Sequence, residues 1–274
     1  MVREPTATSP PVHPPFLGWD GVGYHIGYEH SPNLHDLFVF GEYQEESWES
    51  IAAACFEFLG ECRTDTTPGI ENLDVINVLT SEKTLDRLQE WALAESLDLG
   101  KEWMINGERC ASPSKILVTT DEIISQSQEI TGVMHGDFCF PNIFFDFRQS
   151  LIRVIDPRGG IDEGLPSVFG DLLYDLAKLN HSLSGYDQII AGRFRALRTD
   201  KYEVLFELDN HLAAKEIFDI FVRKNLSGQN VGDLAVKAIT IQLFLAMLPL
   251  HSDTPDRQLA FFANALRLFR QLEV

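Results

Sequence analysis

Three oxygen-bearing side chains near the middle of the chain have the types and spacing needed for phosphoryl chemistry. Asp137 and Asn142 flank a short loop, and Asp156 follows at the end of a later apolar run. A carboxylate can orient or deprotonate an attacking hydroxyl, and an amide and a second carboxylate offer the oxygen ligands that Mg²⁺ prefers. The spacing therefore predicts phosphoryl transfer from a nucleotide, with Asp137 as the base and Asn142 and Asp156 as Mg²⁺ ligands. The alternatives are that Asp137 only caps the loop and that Asn142 and Asp156 form turn-stabilising hydrogen bonds to the backbone.

The stretch between Asn142 and Asp156 is predicted to be a hairpin. Residues 143–145 and 151–155 have the apolar composition of paired strands, and residues 146–150 supply the turn. A tight hairpin returns the chain to the place where it started. We therefore expect Asp156 to leave the second strand beside Asn142.

The order of these motifs resembles the aminoglycoside phosphotransferase and choline kinase family, small-molecule relatives of the protein kinases. Residues 134–142 read Met-His-Gly-Asp-Phe-Cys-Phe-Pro-Asn, and residues 154–157 read Val-Ile-Asp-Pro. The catalytic loop of that family reads His-Gly-Asp, four residues, Asn, and an Ile-Asp segment follows it. Residues 170–177 are similar to the family's Gly-Asp-Pro-x-x-Asp-Leu-Ala helix start, with Leu172 in place of Pro.

The resemblance implies an α+β, mainly helical fold: a protein-kinase-like large (C-terminal) lobe with short β-hairpins. Its catalytic loop would span residues 135–142 and its metal segment residues 154–158, with Mg²⁺ and ATP or another nucleoside triphosphate as cofactors. His135 would hold the catalytic loop together. Asp175 would brace the backbone of that loop as structural support.

The family also has a hinge whose backbone pairs with adenine. By likeness this hinge is the segment 24–33, with Tyr28, Glu29 and His30 as the nucleotide-binding residues, although an ordinary edge strand and turn explains the same pattern. Arg158 is a candidate contact for phosphate or an anionic substrate, with a surface salt bridge as the alternative.

The beginning of the chain departs from the family pattern. Residues 4–15 contain five prolines, so residues 1–23 are predicted to be an extended or disordered arm ahead of a kinase-like domain over 24–274, whose helical large lobe spans 34–274. The first Lys is Lys83, and no glycine-rich phosphate loop precedes residue 24. We therefore expect most of the small lobe to be absent from this chain. Either the chain is truncated, or another chain supplies the lobe, or the lobe has been lost.

The amino-acid composition argues against certain classes of binding partner and indicates a cellular compartment. The net charge of −19 and pI near 4.7 argue against nucleic-acid binding, which needs clustered Lys and Arg. No apolar run reaches membrane-spanning length, and no secretory leader is evident. The four cysteines form no C-x-x-C pair, which favours a reducing compartment, so the expected location is the cytoplasm.

The predicted function is Mg-dependent transfer of a phosphoryl group from ATP to a hydroxyl of a sugar, aminoglycoside or amino alcohol. The sugar option comes from a fainter similarity, through residues 156–159 and 179–182, to kinase-like proteins linked with bacterial capsule or surface-sugar synthesis. The alternatives are a non-catalytic kinase-like binding module and a truncated large lobe without activity of its own. A third class is a metal-dependent hydrolase that would use His135, Asp137, Asp156 and His181.

Without a small lobe, the face that it would cover is expected to be exposed. We expect this small-lobe face, near Tyr28, Leu34 and Ile155, to mediate self-association or to bind a partner chain.

Local patterns also predict individual elements. They are a helix over 46–63, a helix capped by Ser81 and ending near Gly100, a hairpin at Asn106-Gly107, a helix over 119–129, a strand over 202–208, a buried helix over 235–248 and a last helix after Thr254-Pro255.

Overall fold

The computed structural model describes residues 12–42, 44–64, 74–160, 167–209 and 212–272, and its fold is mainly helical α+β. The helices are α1 (Leu34–Phe40), α2 (Glu45–Cys62), α3 (Val75–Asn77), α4 (Lys83–Ala94), α5 (Pro113–Ser125), α6 (Leu173–His181), α7 (Asp187–Ile190), α8 (Leu212–Val222), α9 (Leu234–Ala246) and α10 (Pro255–Arg270). The strands are β1 (Phe16–Trp19), β2 (Tyr24–Ile26), β3 (Trp103–Ile105), β4 (Glu108–Cys110), β5 (Thr131–Val133), β6 (Ile143–Asp146), β7 (Leu151–Val154), β8 (Phe169–Asp171), β9 (Phe194–Asp200) and β10 (Glu203–Leu208).

The strands form small sheets that join elements distant in the sequence. β4, β3, β10 and β9 form one four-stranded sheet in that order, in which β10 runs parallel to β3 and the other neighbours are antiparallel. β1 pairs with β2, β5 with β8, and β6 with β7, each antiparallel. The pairing of β5 with β8 matters most for the site, because the loop after β5 then lies beside the start of α6.

Helix α9 lies at the centre of the core. Val236 and Ile239 belong to the apolar cluster that includes α1, α2 and α6, whereas Phe244 and Leu245 belong to a second cluster with α4, α5 and α10. A helix that is apolar nearly all round is expected to be buried in this way. The predicted interior helix over 235–248 is therefore confirmed, with its end at Ala246.

Several other predicted elements are confirmed. The hairpin around Asp146–Ser150 joins β6 to β7, and residues 46–63 lie in α2 except for the last one. Asn106 and Gly107 have φ of 51° and 79°, as the tight turn between β3 and β4 requires. The last helix starts at Pro255, as the Thr-Pro pair predicts.

Two predicted helix starts are wrong. α5 begins at Pro113, where the Ser112 side chain caps the helix by accepting from Lys115 N, so residues 119–122 lie inside it. Ser81 caps no helix: the helical stretch begins at Val75 behind Asp74 and passes through a π-helical turn, Val78–Glu82, into α4. The helices begin where a capping side chain is available, Asp74 before Val75 and Ser112 before Pro113, and buried residues occur from the first turn onward.

The N-terminal part differs from the expected division. Residues 1–11 of the predicted arm lie outside the described part of the chain, but Phe16–Trp19 is a strand. It pairs with β2, so the expected boundary between residues 23 and 24 falls inside a hairpin. Within the segment 24–33 expected as a hinge, the only strand is β2, which ends at Ile26, and Gly27 N then donates to Pro15 O at 2.8 Å.

Among the described residues, no helix is both long enough and apolar enough to cross a membrane. The most apolar one, α9, has 13 residues, whereas a membrane span needs about 20.

Candidate functional site

The predicted catalytic loop runs from the end of β5 to the start of β6. Two pairings fix its ends: β5 is held against β8, and β6 against β7. Phe140 N also donates to Ser182 Oγ at 3.0 Å, which ties the middle of the loop to the end of α6. The side chains of Phe138 and Phe140 are fully buried, so the loop is anchored in the core while Asp137 faces outward.

Asp175 on α6 holds the first part of the loop. Its two carboxylate oxygens accept from His135 N at 2.9 Å and Gly136 N at 2.8 Å, and its side chain is fully buried. This is the bracing contact that the family resemblance implies. Burial raises the pKa of Asp175 to about 7, against the opposing effect of the two N–H donors.

Gly136 occupies a position that only glycine fits well. Its φ is +76°, and a Cβ there would lie 2.7 Å from Cβ of Arg158. Arg158 N in turn donates to His135 O at 2.8 Å. The predicted metal segment is therefore packed directly on the predicted catalytic loop.

His135 is a buried support of the loop. Its Nδ1 accepts from Asp137 N at 3.3 Å, which leaves the ring proton on Nε2. Burial lowers the pKa of His135, although the charge of Asp137 and the backbone of Ile155 oppose this. A neutral ring that accepts from the Asp137 backbone orients the loop, as the resemblance implies.

Asp137 lies in a polar cluster that the sequence predicted only in part. Asn142 Nδ2 donates to its Oδ2 at 2.9 Å and to its backbone oxygen at 2.9 Å. Lys178 Nζ lies 2.8 Å from Oδ1. Burial acts to raise the pKa of Asp137, but Lys178 and Asn142 outweigh it and the pKa is lowered. Asp137 is therefore ionised at neutral pH, and 41% of its side chain is exposed to solvent.

Lys178 is the site residue that sequence reasoning missed. It lies three residues after Asp175 on α6, so both side chains face the loop. Burial acts to lower the pKa of its ammonium, but Tyr174 and Asp137 outweigh this and raise it. The available signal was this spacing, which places Lys178 on the same face of α6 as Asp175, but it does not identify Asp137 as the partner of Lys178.

Asn142 and Asp156 are adjacent, because Ile155 N donates to Asn142 O at 3.1 Å. Among the described residues, Asn142 Oδ1 accepts no hydrogen bond, and Asp156 accepts one, at Oδ1 from the Tyr24 hydroxyl at 2.7 Å. Asp156 is exposed and has a left-handed φ of +55°. An amide oxygen and a carboxylate fit Mg²⁺, which commonly takes few protein ligands and completes its shell with water and phosphate.

Arg158 packs on Tyr174. Its Nη1 donates to the Tyr174 hydroxyl at 3.1 Å, and its Cζ lies 6.0 Å from the ring centroid. Lys178 Nζ lies 5.9 Å from the same centroid. Within the described part of the chain, Arg158 makes no ion pair, so the surface salt bridge expected as its alternative role is not found there.

The three expected hinge residues lie in an irregular segment after β2. Tyr28 is 83% exposed, and its ring meets that of His30 edge-on at 4.7 Å. Glu29 pairs with Arg153 of β7 at 2.8 Å. Burial acts to raise the pKa of Glu29, but Arg153 and Ser31 outweigh it and lower the pKa to about 2. Glu29 thus fastens this segment to the hairpin.

The hydrolase alternative lacks its metal cluster. Across the described ranges, no three His, Cys, Asp or Glu side chains converge as metal ligands. His181 is buried and stacks on Tyr186 with ring centroids 4.5 Å apart, and burial lowers its pKa well below the usual value. His181 is therefore a core residue.

No protein-family model matches this sequence, and a comparison with curated proteins found no match.

Proposed function

We propose that the protein is a Mg²⁺-dependent phosphotransferase that moves a phosphoryl group from ATP to a hydroxyl of a small molecule. A sugar, an aminoglycoside and an amino alcohol are the candidate acceptors. The observation that carries the proposal is the ionised, partly exposed Asp137, which contacts Lys178 and also contacts Asn142, the neighbour of Asp156 at the base of the β6–β7 hairpin. The braced loop and the hairpin after it also support a protein-kinase-like large lobe.

Asp137 would act on the acceptor. Its low pKa keeps the carboxylate available to accept a hydrogen bond from the attacking hydroxyl. As the acceptor oxygen bonds to the γ-phosphorus and the bond to the bridging oxygen of ADP breaks, the hydroxyl proton passes to Asp137. Bound Mg²⁺ would neutralise phosphate charge, and Asn142 Oδ1 and the Asp156 carboxylate are the residues that would hold it.

One cation that contacts Asp137 and another that packs on the same loop support the handling of phosphate. The chain carries a net charge of −19, which repels ATP, yet Lys178 contacts Asp137 and Arg158 packs on the loop at Gly136. A positive charge 2.8 Å from the base lies close to the point where a phosphoryl group would be transferred. Lys178 would thus keep Asp137 ionised and offset phosphate charge at the same place.

The second candidate function is a non-catalytic kinase-like binding module. The observation that favours it is internal occupation of the site, because the Tyr24 hydroxyl is bonded to Asp156 and Asn142 is bonded to Asp137. A module of this kind would keep those contacts instead of exchanging them for ligands. A catalytic site must release Tyr24 from Asp156 when metal and nucleotide bind.

The partner surface remains part of the proposal. Contrary to expectation, Leu34 is fully buried and does not belong to the small-lobe face. Tyr28 is exposed and Ile155 is half-buried. The hairpin β1–β2 adds large exposed apolar side chains to this face, namely Phe16, Leu17, Trp19 and Val22. Such a surface supports self-association or a partner chain there.

The test is ATP binding measured by calorimetry with and without Mg²⁺. We expect Mg²⁺-dependent binding in the wild type and its loss in Asp156→Ala. Asp86→Ala, which removes an exposed carboxylate from α4, is the matched control and should bind as the wild type does. Absence of Mg²⁺-dependent binding in the wild type contradicts the phosphotransferase and favours the binding module.

A further inference from the structure

A pocket of about 640 Å³ lies across α6 from the candidate active site. This half-open pocket is lined by the end of α6 and the π-helical turn after it, the end of β10, α8, α9 and α10. Asn180 of α6 lines it, whereas Lys178, two residues earlier, contacts Asp137. Side chains two residues apart on a helix point about 200° apart. The pocket is therefore distinct from the site around Asp137.

The pocket contains an arginine without a counter-charge. Arg267 of α10 lines it, and within the described part of the chain no carboxylate lies within 4.0 Å of its guanidinium. Nε donates to Asn264 Oδ1 at 2.9 Å, and Nη2 donates to Ser184 O at 3.0 Å. Burial lowers the pKa of Arg267 to about 10. Removing a charge from water without an opposite charge is costly, so an anionic ligand here would stabilise the fold.

The guanidinium is held in a fixed orientation. Ser184 O, its acceptor, also accepts from Asn264 Nδ2 at 3.0 Å, and Asn264 is fully buried. The next residue, Gly185, has φ +126°, and a Cβ there would lie 3.0 Å from Asn264 Nδ2. Two neutral acceptors and a tight glycine turn thus position the guanidinium, while Nη1 donates to no acceptor in the described residues.

We propose that this pocket binds the carboxylate of a small organic acid, with Arg267 as its principal ligand. A guanidinium fork matches the planar geometry of a carboxylate. Lys215 and Lys237 also line the pocket and form no ion pair within the described ranges. This site is independent of the proposed phosphotransfer, because it shares no residue with the site around Asp137.

The charges around the pocket favour a single negative charge. Besides the cations, three carboxylates line it: those of Glu207, Asp209 and Asp219. They would repel a phosphate dianion more strongly than a carboxylate monoanion. The structure therefore assigns a monocarboxylate as the ligand class.

The test is a titration of the full chain with sodium acetate, followed by the ¹H–¹⁵N signals of arginine Nε–Hε groups, with sodium chloride at equal ionic strength as the reference. The Arg267 signal is assigned by its absence from the spectrum of Arg267→Gln. We expect acetate to shift this signal in a saturable way. In that variant acetate binding is followed instead by the backbone amide signals of the pocket residues, and loss of a charge-assisted pair should weaken it about tenfold or more. Inorganic phosphate should bind more weakly than acetate.

Two further variants keep the test decisive if Arg267→Gln does not fold. Lys237→Gln, at the pocket wall, should weaken acetate binding about two- to threefold. Arg148→Gln, an exposed arginine of the β6–β7 turn, removes the same charge elsewhere and should leave binding unchanged. The proposal is overturned if acetate gives no saturable shift in the wild type, if phosphate binds more tightly than acetate, or if Lys237→Gln weakens binding no more than Arg148→Gln does.

Discussion

Asp175→Ala tests how the catalytic loop is held. The variant removes the acceptor of two N–H groups, those of His135 and Gly136, from a fully buried place. Each unsatisfied buried donor costs about 1–3 kcal/mol, so the loss is about 2–6 kcal/mol. Burial raises the pKa of Asp175 to about 7, because a buried carboxylate is costly to ionise. Removing the carboxyl group therefore offsets part of the lost stability. We expect the free energy of unfolding to fall by about 2–4 kcal/mol in net terms.

The assay is urea-induced unfolding together with amide hydrogen exchange. Asp175→Asn keeps one acceptor oxygen and should lose about half as much stability, about 1–2 kcal/mol. His135 and Gly136 amides should exchange faster in both variants. The Ile130 amide, which donates to Asp171 at 3.0 Å, should keep its protection relative to global stability. The proposed role of Asp175 is refuted if the loss of stability in Asp175→Ala is no larger than that of the exposed control Asp86→Ala. Unchanged amide exchange at His135 and Gly136 would refute it as well.

Three further predictions concern the same region. Gly136→Ala should destabilise by about 1–3 kcal/mol more than Gly107→Ala, since both have positive φ but only Gly136 has a neighbour within 4 Å of the added Cβ; equal losses in urea unfolding would contradict this. A double-mutant cycle with Lys178→Met and Asp137→Asn should give a coupling of about 1 kcal/mol, discounted for the 41% exposure of Asp137, and a coupling near zero would mean that the ion pair does not form in solution. Burial raises the pKa of Asp171 from 3.8 to about 7, so between those values the folded state holds a proton that the unfolded state has released, and unfolding free energy falls as pH rises. Asp171→Asn should flatten this fall in urea titrations at several pH values, and an unchanged slope would contradict it.

The elements that the sequence predicted well are those with strong local signals. The β6–β7 hairpin has two apolar runs around a polar turn, and α9 is apolar on every face. Two helix starts were misjudged because several capping side chains compete along one apolar stripe, and Ser112 and Asp74 cap the helices in the structure. Strand β9 has no clear local signal, and its sheet joins segments about a hundred residues apart.

The candidate site was predictable where its residues follow one another closely. Asp137, Asn142 and Asp156 are joined by one loop and one hairpin, so their proximity followed from local structure. Lys178 and Tyr24 reach the site through tertiary packing, from α6 and from β2. Contacts of that kind depend on how whole elements pack, which the spacing of residues in a sequence does not encode.

We propose that Asp137 acts on a hydroxyl while Asn142 and Asp156 hold Mg²⁺ and nucleotide. The most direct measurement is ³¹P NMR of phosphoryl transfer from ATP in Mg²⁺, with a hexose, an aminoglycoside and ethanolamine as acceptors, for the wild type and Asp137→Asn. We predict a phosphate monoester from the wild type, and transfer at least about 100-fold slower in Asp137→Asn with nucleotide binding retained. ATP binding without transfer to any acceptor, or equal transfer by Asp137→Asn, would contradict the proposed role of Asp137 in phosphoryl transfer.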